Sequence, residues 1–167
     1  MASLKMKGDL AELMVATDLL RRGYKIAFPY GEDWDYDLIV DRKGTLEKVQ
    51  VKYTESDGVV VTVRCRSHSL TNGKVKQTKR YTAAMIDWLA VYDAGTERCF
   101  YIPADELGAG RNLLHLRLRP TRNHQRVGVR FAEDYAAPEG RANLLSKMEP
   151  AGLEPAPFRM QTERSPN

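Results

Sequence analysis

Asp37, Gln50 and Lys52 are the residues of this chain whose types and spacing are best suited to chemistry. Asp37 stands directly before Leu38-Ile39-Val40, and Gln50 and Lys52 alternate with Val49 and Val51. Side chains alternate along a strand, so the amide and the ammonium share one face and the two valines take the other. A Val-rich strand has little reason to carry that polar pair unless it is used. An adjacent antiparallel strand brings the Asp37 carboxylate beside it. Carboxylate, amide oxygen and lysine in one cluster can hold a hard divalent cation next to a phosphate. Phosphodiester hydrolysis needs that combination: a positioned water, neutralised charge at phosphorus and a stabilised leaving oxygen.

The flanking sequence supplies the elements. Residues 7–22 read as a helix, with Leu10, Leu13, Met14, Thr17, Leu20 and Arg21 at steps of three and four, helped by Ala11, Val15 and Ala16. Gly23 is a stop signal. Glu12 lies one turn into this helix, beside the apolar stripe. Tyr24–Phe28 reads as a strand, broken by Pro29-Tyr30-Gly31. Glu32-Asp33-Trp34-Asp35 is an acidic loop that delivers Asp37; Asp35 is either a further ligand or a loop cap. Arg42-Lys43-Gly44 is a hairpin turn and Leu46–Thr54 the returning strand. Val59–Arg66 predicts another strand. Ser67–Lys79 is polar, with a tight turn at Asn72-Gly73. Tyr81–Ile86 reads as a short helix, Asp87–Asp93 as a strand paired with Thr96–Ile102, and Pro103–Leu107 as a short helix. Leu113–Leu118 and Val127–Phe131 alternate as late strands do, and Ala132–Leu145 is partly helical. Four of the eight prolines fall from Glu149 onward. The expected organisation is one domain over residues 1–148 and a disordered tail over 149–167.

These residues resemble a family. An aspartate before one strand and Gln-x-Lys on the next, Val49-Gln50-Val51-Lys52 here, look like the PD-(D/E)XK nuclease superfamily. The amino-terminal helix Lys7-Gly8-Asp9-Leu10-Ala11-Glu12 strengthens the match. The branch with Gln-x-Lys, which includes homing endonucleases of bacterial group I introns, is the closer likeness, over roughly residues 5–103. The resemblance implies an α/β (α+β) fold, a restriction-endonuclease-like core whose mixed β-sheet is flanked by helices. It implies Glu12, Asp37, Gln50 and Lys52 as catalytic residues. Asp37, Glu12 and Gln50 would be the ligands of Mg²⁺, with Mn²⁺ as the alternative ion. Lys52 would orient the attacking water or steady developing negative charge. Gln50 departs from the commoner acid and removes one negative charge from the ligand set. Cutting both strands of DNA with one small domain implies two active sites, hence a homodimer or homotetramer.

Charge distribution agrees with a polyanionic partner. The net charge is +4 and the sequence pI about 9.1. Residues 58–86 hold Arg64, Arg66, Lys74, Lys76, Lys79 and Arg80 and no acid. Residues 111–130 hold arginines at 111, 117, 119, 122, 126 and 130 and again no acid. The acids gather over 32–57. Basic surface around an acidic pocket suits double-stranded DNA drawn to a cation, and the candidate DNA contacts are the six basic residues from Arg64 to Arg80. His68, His115 and His124 lack nuclease-motif spacing.

No run of 18 apolar residues exists, so no membrane span is expected, and the amino terminus has no secretory pattern. Cys65 and Cys99 lack metal-ligand spacing; two arginines beside Cys65 can lower its pKa, but two reduced thiols of a cytoplasmic protein are the favoured reading. Ala151-Gly152-Leu153-Glu154-Pro155 resembles a transfer-RNA T-arm translated from the opposite strand, as in a bacterial or phage-type mobile element beside a tRNA gene. The expected function is therefore a Mg²⁺-dependent, site-specific DNA endonuclease of the homing type. The alternatives are a Holliday-junction resolvase-like nuclease and a catalytically decayed DNA-binding module.

Overall fold

A computed structural model of the chain describes residues 3–31, 33–71, 74–121 and 125–138, and the side chains of 69–77 lie outside that description. The expected tail over 149–167 falls outside it too.

The first element is α1, Leu4–Arg21. Ser3 caps it, its Oγ accepting from the amide of Met6 at 3.2 Å. It ends where Gly23 takes φ +83° and the amides of Gly23 and Tyr24 turn back onto the carbonyls of Leu20 and Leu19. The inward face differs from the sequence expectation. Ala11, Val15, Ala16 and Leu19 are buried, whereas Leu10, Leu13 and Leu20 are exposed. The helix is apolar on two sides, and the smaller residues face the sheet because they allow close approach.

That sheet has five strands in the order β1-β2-β3-β7-β8. They are β1 (Lys25–Ala27), β2 (Leu38–Arg42), β3 (Thr45–Thr54), β7 (Trp88–Asp93) and β8 (Arg98–Pro103). All neighbours are antiparallel except β3 and β7, which run parallel. The sheet is therefore mixed, as expected. The β2–β3 turn uses Lys43 and Gly44, both at positive φ, with the Gly44 amide bonded to Asp41 Oδ1 at 2.7 Å. Two consecutive positive φ values suit a tight hairpin, and that turn fixes the register Leu38↔Val49.

Between β3 and β7 the chain makes two small excursions. β4 (Val60–Arg64) pairs with β9 (Leu113–Arg117), and β5 (Arg66–Thr71) pairs with β6 (Lys74–Arg80). The single strand expected over Val59–Arg66 is thus divided at Cys65, whose amide bonds Asn112 O while its carbonyl accepts from Tyr81 N. Tyr81–Ile86 is a turn held by Thr82 O rather than a helix. Val127–Phe131 forms no strand; only Phe131 bridges to Arg117. Short 3₁₀ turns cover Ala104–Leu107 and Ala132–Tyr135.

Two cores result, one on each face of the sheet. On the α1 side Val15 and Leu19 meet Leu38, Val40, Val49, Val51 and Trp88. On the other side Leu89, Val91, Phe100 and Ile102 meet Val61, Val63, Leu114, Leu116 and Tyr81. Asp93 is fully buried at the end of β7 and collects the amide and hydroxyl of Ser56 at 2.7 Å each and the hydroxyl of Thr96 at 2.7 Å, which satisfies its charge. Among the described residues no helix is long and apolar enough to cross a membrane.

Candidate active site

Asp37 sits immediately before β2, where its amide bonds Val49 O at 2.9 Å. Its carboxylate turns toward β3. Oδ2 accepts from the Val51 amide at 2.7 Å and from Gln50 Nε2. A bulge-free hairpin brings these groups together: β2 and β3 pair from the turn up to Val49, and the carboxylate then takes the place of a strand partner for the Val51 amide.

Gln50 is buried and anchored at one end. Its Nε2 donates to Asp37 and, at 3.2 Å, to its own neighbour's carbonyl, Val51 O. Both donor hydrogens are thereby used, and among the described residues no hydrogen bond reaches Oε1. Lys52, one step further along the same face, donates to the hydroxyl of Tyr81 at 3.0 Å, with Nζ 4.9 Å from the centre of that ring. Tyr81 is buried. Sequence reasoning missed it because it lies 29 residues from Lys52; its aromatic ring just after a basic strand was the available signal.

Glu12 reaches the same place from α1. Glu12, Asp37, Asp33, Trp34 and Tyr36 line one cleft of about 270 Å³ with Phe28, Pro29 and Gly31. Partial burial raises the pKa of Glu12, the charges of Asp37 and Asp9 raise it further, and Lys52 opposes them. Burial likewise raises that of Asp37, against the lowering effects of the Val51 amide, Lys52 and Gln50. Two carboxylates held together at a cost in free energy are what a cation would relieve.

The donor set fits a hard divalent cation. It offers oxygen only: two carboxylates and the Gln50 amide oxygen. Among the described residues no three His, Cys, Asp or Glu side chains converge, which follows from an amide standing in the third position.

A second cleft adjoins the first, sharing Asp33 and Trp34, and adds Asp35, Ser67, His68, Lys79 and Tyr81. Asp35 forms an ion pair with Lys79, so here it ties the acidic loop to the base of the β5–β6 hairpin. Of the other basic residues, Arg64 is exposed on β4, Arg66 is half-buried with an unpartnered Nε, and Arg80 is exposed and bonded to Asn112 Oδ1 at 3.1 Å. Lys74 and Lys76 lie on β6, but their side chains fall outside those described. From the other acid-free stretch, Arg111, Arg117 and Arg130 line a groove of about 640 Å³ with His115 and Thr121; Arg130 is bound to Glu106 at 2.8 Å.

The cysteines take no part. Burial pushes the Cys65 thiol up to about 11 and that of Cys99 up to about 12, so the arginines flanking Cys65 do not make it a thiolate.

A family model described as PD-(D/E)XK endonuclease matches residues 2–138. The chain belongs to the PD-(D/E)XK endonuclease family. Among solved structures it is similar to the bacterial homing endonuclease I-Ssp6803I, with 26% sequence identity, a TM-score of 0.65, and coverage of 87% of this chain and 95% of that one. No curated protein matches. The family and the mixed-sheet fold are those implied by the resemblance that Glu12, Asp37, Gln50 and Lys52 carry. PD-(D/E)XK endonucleases generally use divalent metals, and the candidate donors described above are all oxygen.

Proposed function

We propose that this PD-(D/E)XK endonuclease is a Mg²⁺-dependent, site-specific enzyme that cuts double-stranded DNA in the manner of a homing endonuclease. Mn²⁺ is the alternative ion. The observation that carries the reading is that Asp37, Gln50 and Lys52 share one hairpin, with the Lys52 charge acting on Asp37 and Glu12, and that Glu12 lines one cleft with Asp37. Glu12, Asp37 and Gln50 Oε1 would hold the ion. Bound there, it would neutralise charge at the scissile phosphate and acidify water.

The remaining work falls to the protein. The Val51 amide and Gln50 Nε2 fix the Asp37 carboxylate in one rotamer, so the ligand set is preorganised. Lys52 projects between that carboxylate and Tyr81 and would supply positive charge where negative charge develops. Tyr81 restrains the Lys52 ammonium at one position. The acid-free surfaces around Arg64–Arg80 and Arg111–Arg130 would bind the phosphate backbone, an interaction that falls steeply with salt.

In this reading the working species is a homodimer or homotetramer, since double-strand cleavage needs two such sites, and the gene is that of a mobile element. Similarity to the homing endonuclease above supports site specificity. The test is digestion of a plasmid library carrying tRNA genes and random inserts, followed by sequencing of the new ends. Ends at one sequence are expected. Ends scattered over the library would make it a non-specific nuclease, and cutting confined to four-way DNA would make it a junction resolvase.

A further inference from the structure

The side of α1 that points away from the sheet is apolar. Ala11, Val15, Ala16 and Leu19 are the buried side. Opposite them run Met6, Leu10, Leu13, Thr17 and Leu20, of which Met6 is 61%, Leu10 44%, Leu13 60% and Leu20 56% exposed. Isolated exposed apolar residues are ordinary, but a surface helix normally turns charged and polar residues to solvent. Here the larger apolar side chains lie outside and the smaller ones inside.

The steps along this face are four, three, four and three, which is the repeat of a helix seam that packs against another helix. The four large apolar side chains leave on the order of 400 Å² uncovered, within the range of the largest patch a monomer exposes. A specific interface takes about 800 Å² from each partner, a figure within reach once the flanking Lys5, Asp9 and Arg21 are counted. Met6 and Leu20 stand seven residues either side of Leu13, so the seam reads nearly alike in both directions and is complementary to itself. Self-complementarity is what a twofold interface requires.

We propose that the outer face of α1 is an interface between two copies of this chain, α1 against α1, with the twofold axis passing near Leu13. The inference deepens the homo-oligomer of the nuclease reading by assigning its contact surface. Glu12 precedes Leu13 on the same helix, so the axis that pairs the helices also pairs the two clefts.

Sedimentation of the full-length chain tests it without DNA, so its failure is separable from failure of the nuclease reading. The wild type is expected to sediment as a dimer or larger, and Leu13→Glu to halve that mass with unchanged far-UV circular dichroism. Leu13→Cys is expected to give a disulfide-linked dimer under mild oxidation, and Lys25→Cys, exposed on β1, to give none. Should Leu13→Glu misfold, the crosslink decides. A monomeric wild type, or an oligomer that forms no crosslink through Leu13→Cys, would overturn the proposal.

Discussion

The Nζ of Lys52 lies 3.0 Å from the hydroxyl of Tyr81, which projects from the segment just after the β5–β6 hairpin. The contact links the proposed active-site strand to the strand pair proposed to meet DNA. Tyr81→Phe keeps the ring and removes only the bond. A hydrogen bond to a charged group is worth about 1.5–3 kcal/mol, so single-turnover cleavage should slow by roughly tenfold or more while DNA affinity stays unchanged. An unaltered rate would show that Lys52 is placed without Tyr81.

Burial holds the pKa of both Glu12 and Asp37 above the ordinary carboxylate range. The folded chain therefore binds more protons than the unfolded chain between each ordinary value and its raised one. Stability of the metal-free protein should fall as pH rises through that window and level off above it. Thermal melts in EDTA across mildly acidic pH check this. Asp37→Asn removes one of the two raised groups while its amide oxygen can still accept from Val51, so the decline should be smaller.

The same substitution separates stability from activity. Asp37→Asn removes a charge that the fold does not fully compensate, and in EDTA should raise the melting temperature by roughly 2–4 °C, the equivalent of about 1 kcal/mol in a domain of this size. Mg²⁺ at a hundred times its Kd should stabilise the wild type by about 2.7 kcal/mol and the variant hardly at all. Equal stabilisation of both by Mg²⁺ would remove Asp37 from the ligand set.

Gln50→Glu restores a carboxylate but places it against Asp37 Oδ2, where Nε2 now donates. Metal-free stability should drop by about 1–3 kcal/mol, the cost of a lost buried donor, with additional repulsion between the two acids. Saturating Mg²⁺ should recover most of it, and metal affinity should tighten. Calorimetry with and without the ion checks both halves.

Arg64 is exposed on β4, across from the arginine-lined groove. Arg64→Gln should weaken DNA binding uniformly across sequences and reduce the slope of log K against log salt by about one. An unchanged slope in fluorescence titrations would place the backbone contact elsewhere.

The hairpin that makes the site was readable because two local signals agreed. Lys43-Gly44 demanded a tight turn, and alternation on either side then set Asp37 opposite Gln50. What followed from distant contacts was not readable. Tyr81 meets Lys52, and Lys79 meets Asp35, only because the β5–β6 hairpin leaves at Cys65 and returns at Tyr81, whose amide bonds the Cys65 carbonyl. The alternation of Val59–Arg66 runs on through Cys65 although the two halves pair with different strands. In α1 the periodicity was apolar on two faces, and the three-to-four spacing singled out the outer one. Close packing against the sheet favoured Ala11, Val15 and Ala16, a preference that hydrophobicity alone does not express.

Whether this chain is a metal-dependent nuclease that works through Lys52 is decided by cleavage of supercoiled plasmid carrying candidate tRNA-gene sequences, in Mg²⁺ and in EDTA, by the wild type and by Lys52→Ala. Linear product is expected from the wild type in Mg²⁺ alone and none from Lys52→Ala, which should still bind DNA. Linear product that persists in EDTA or from Lys52→Ala would contradict that reading.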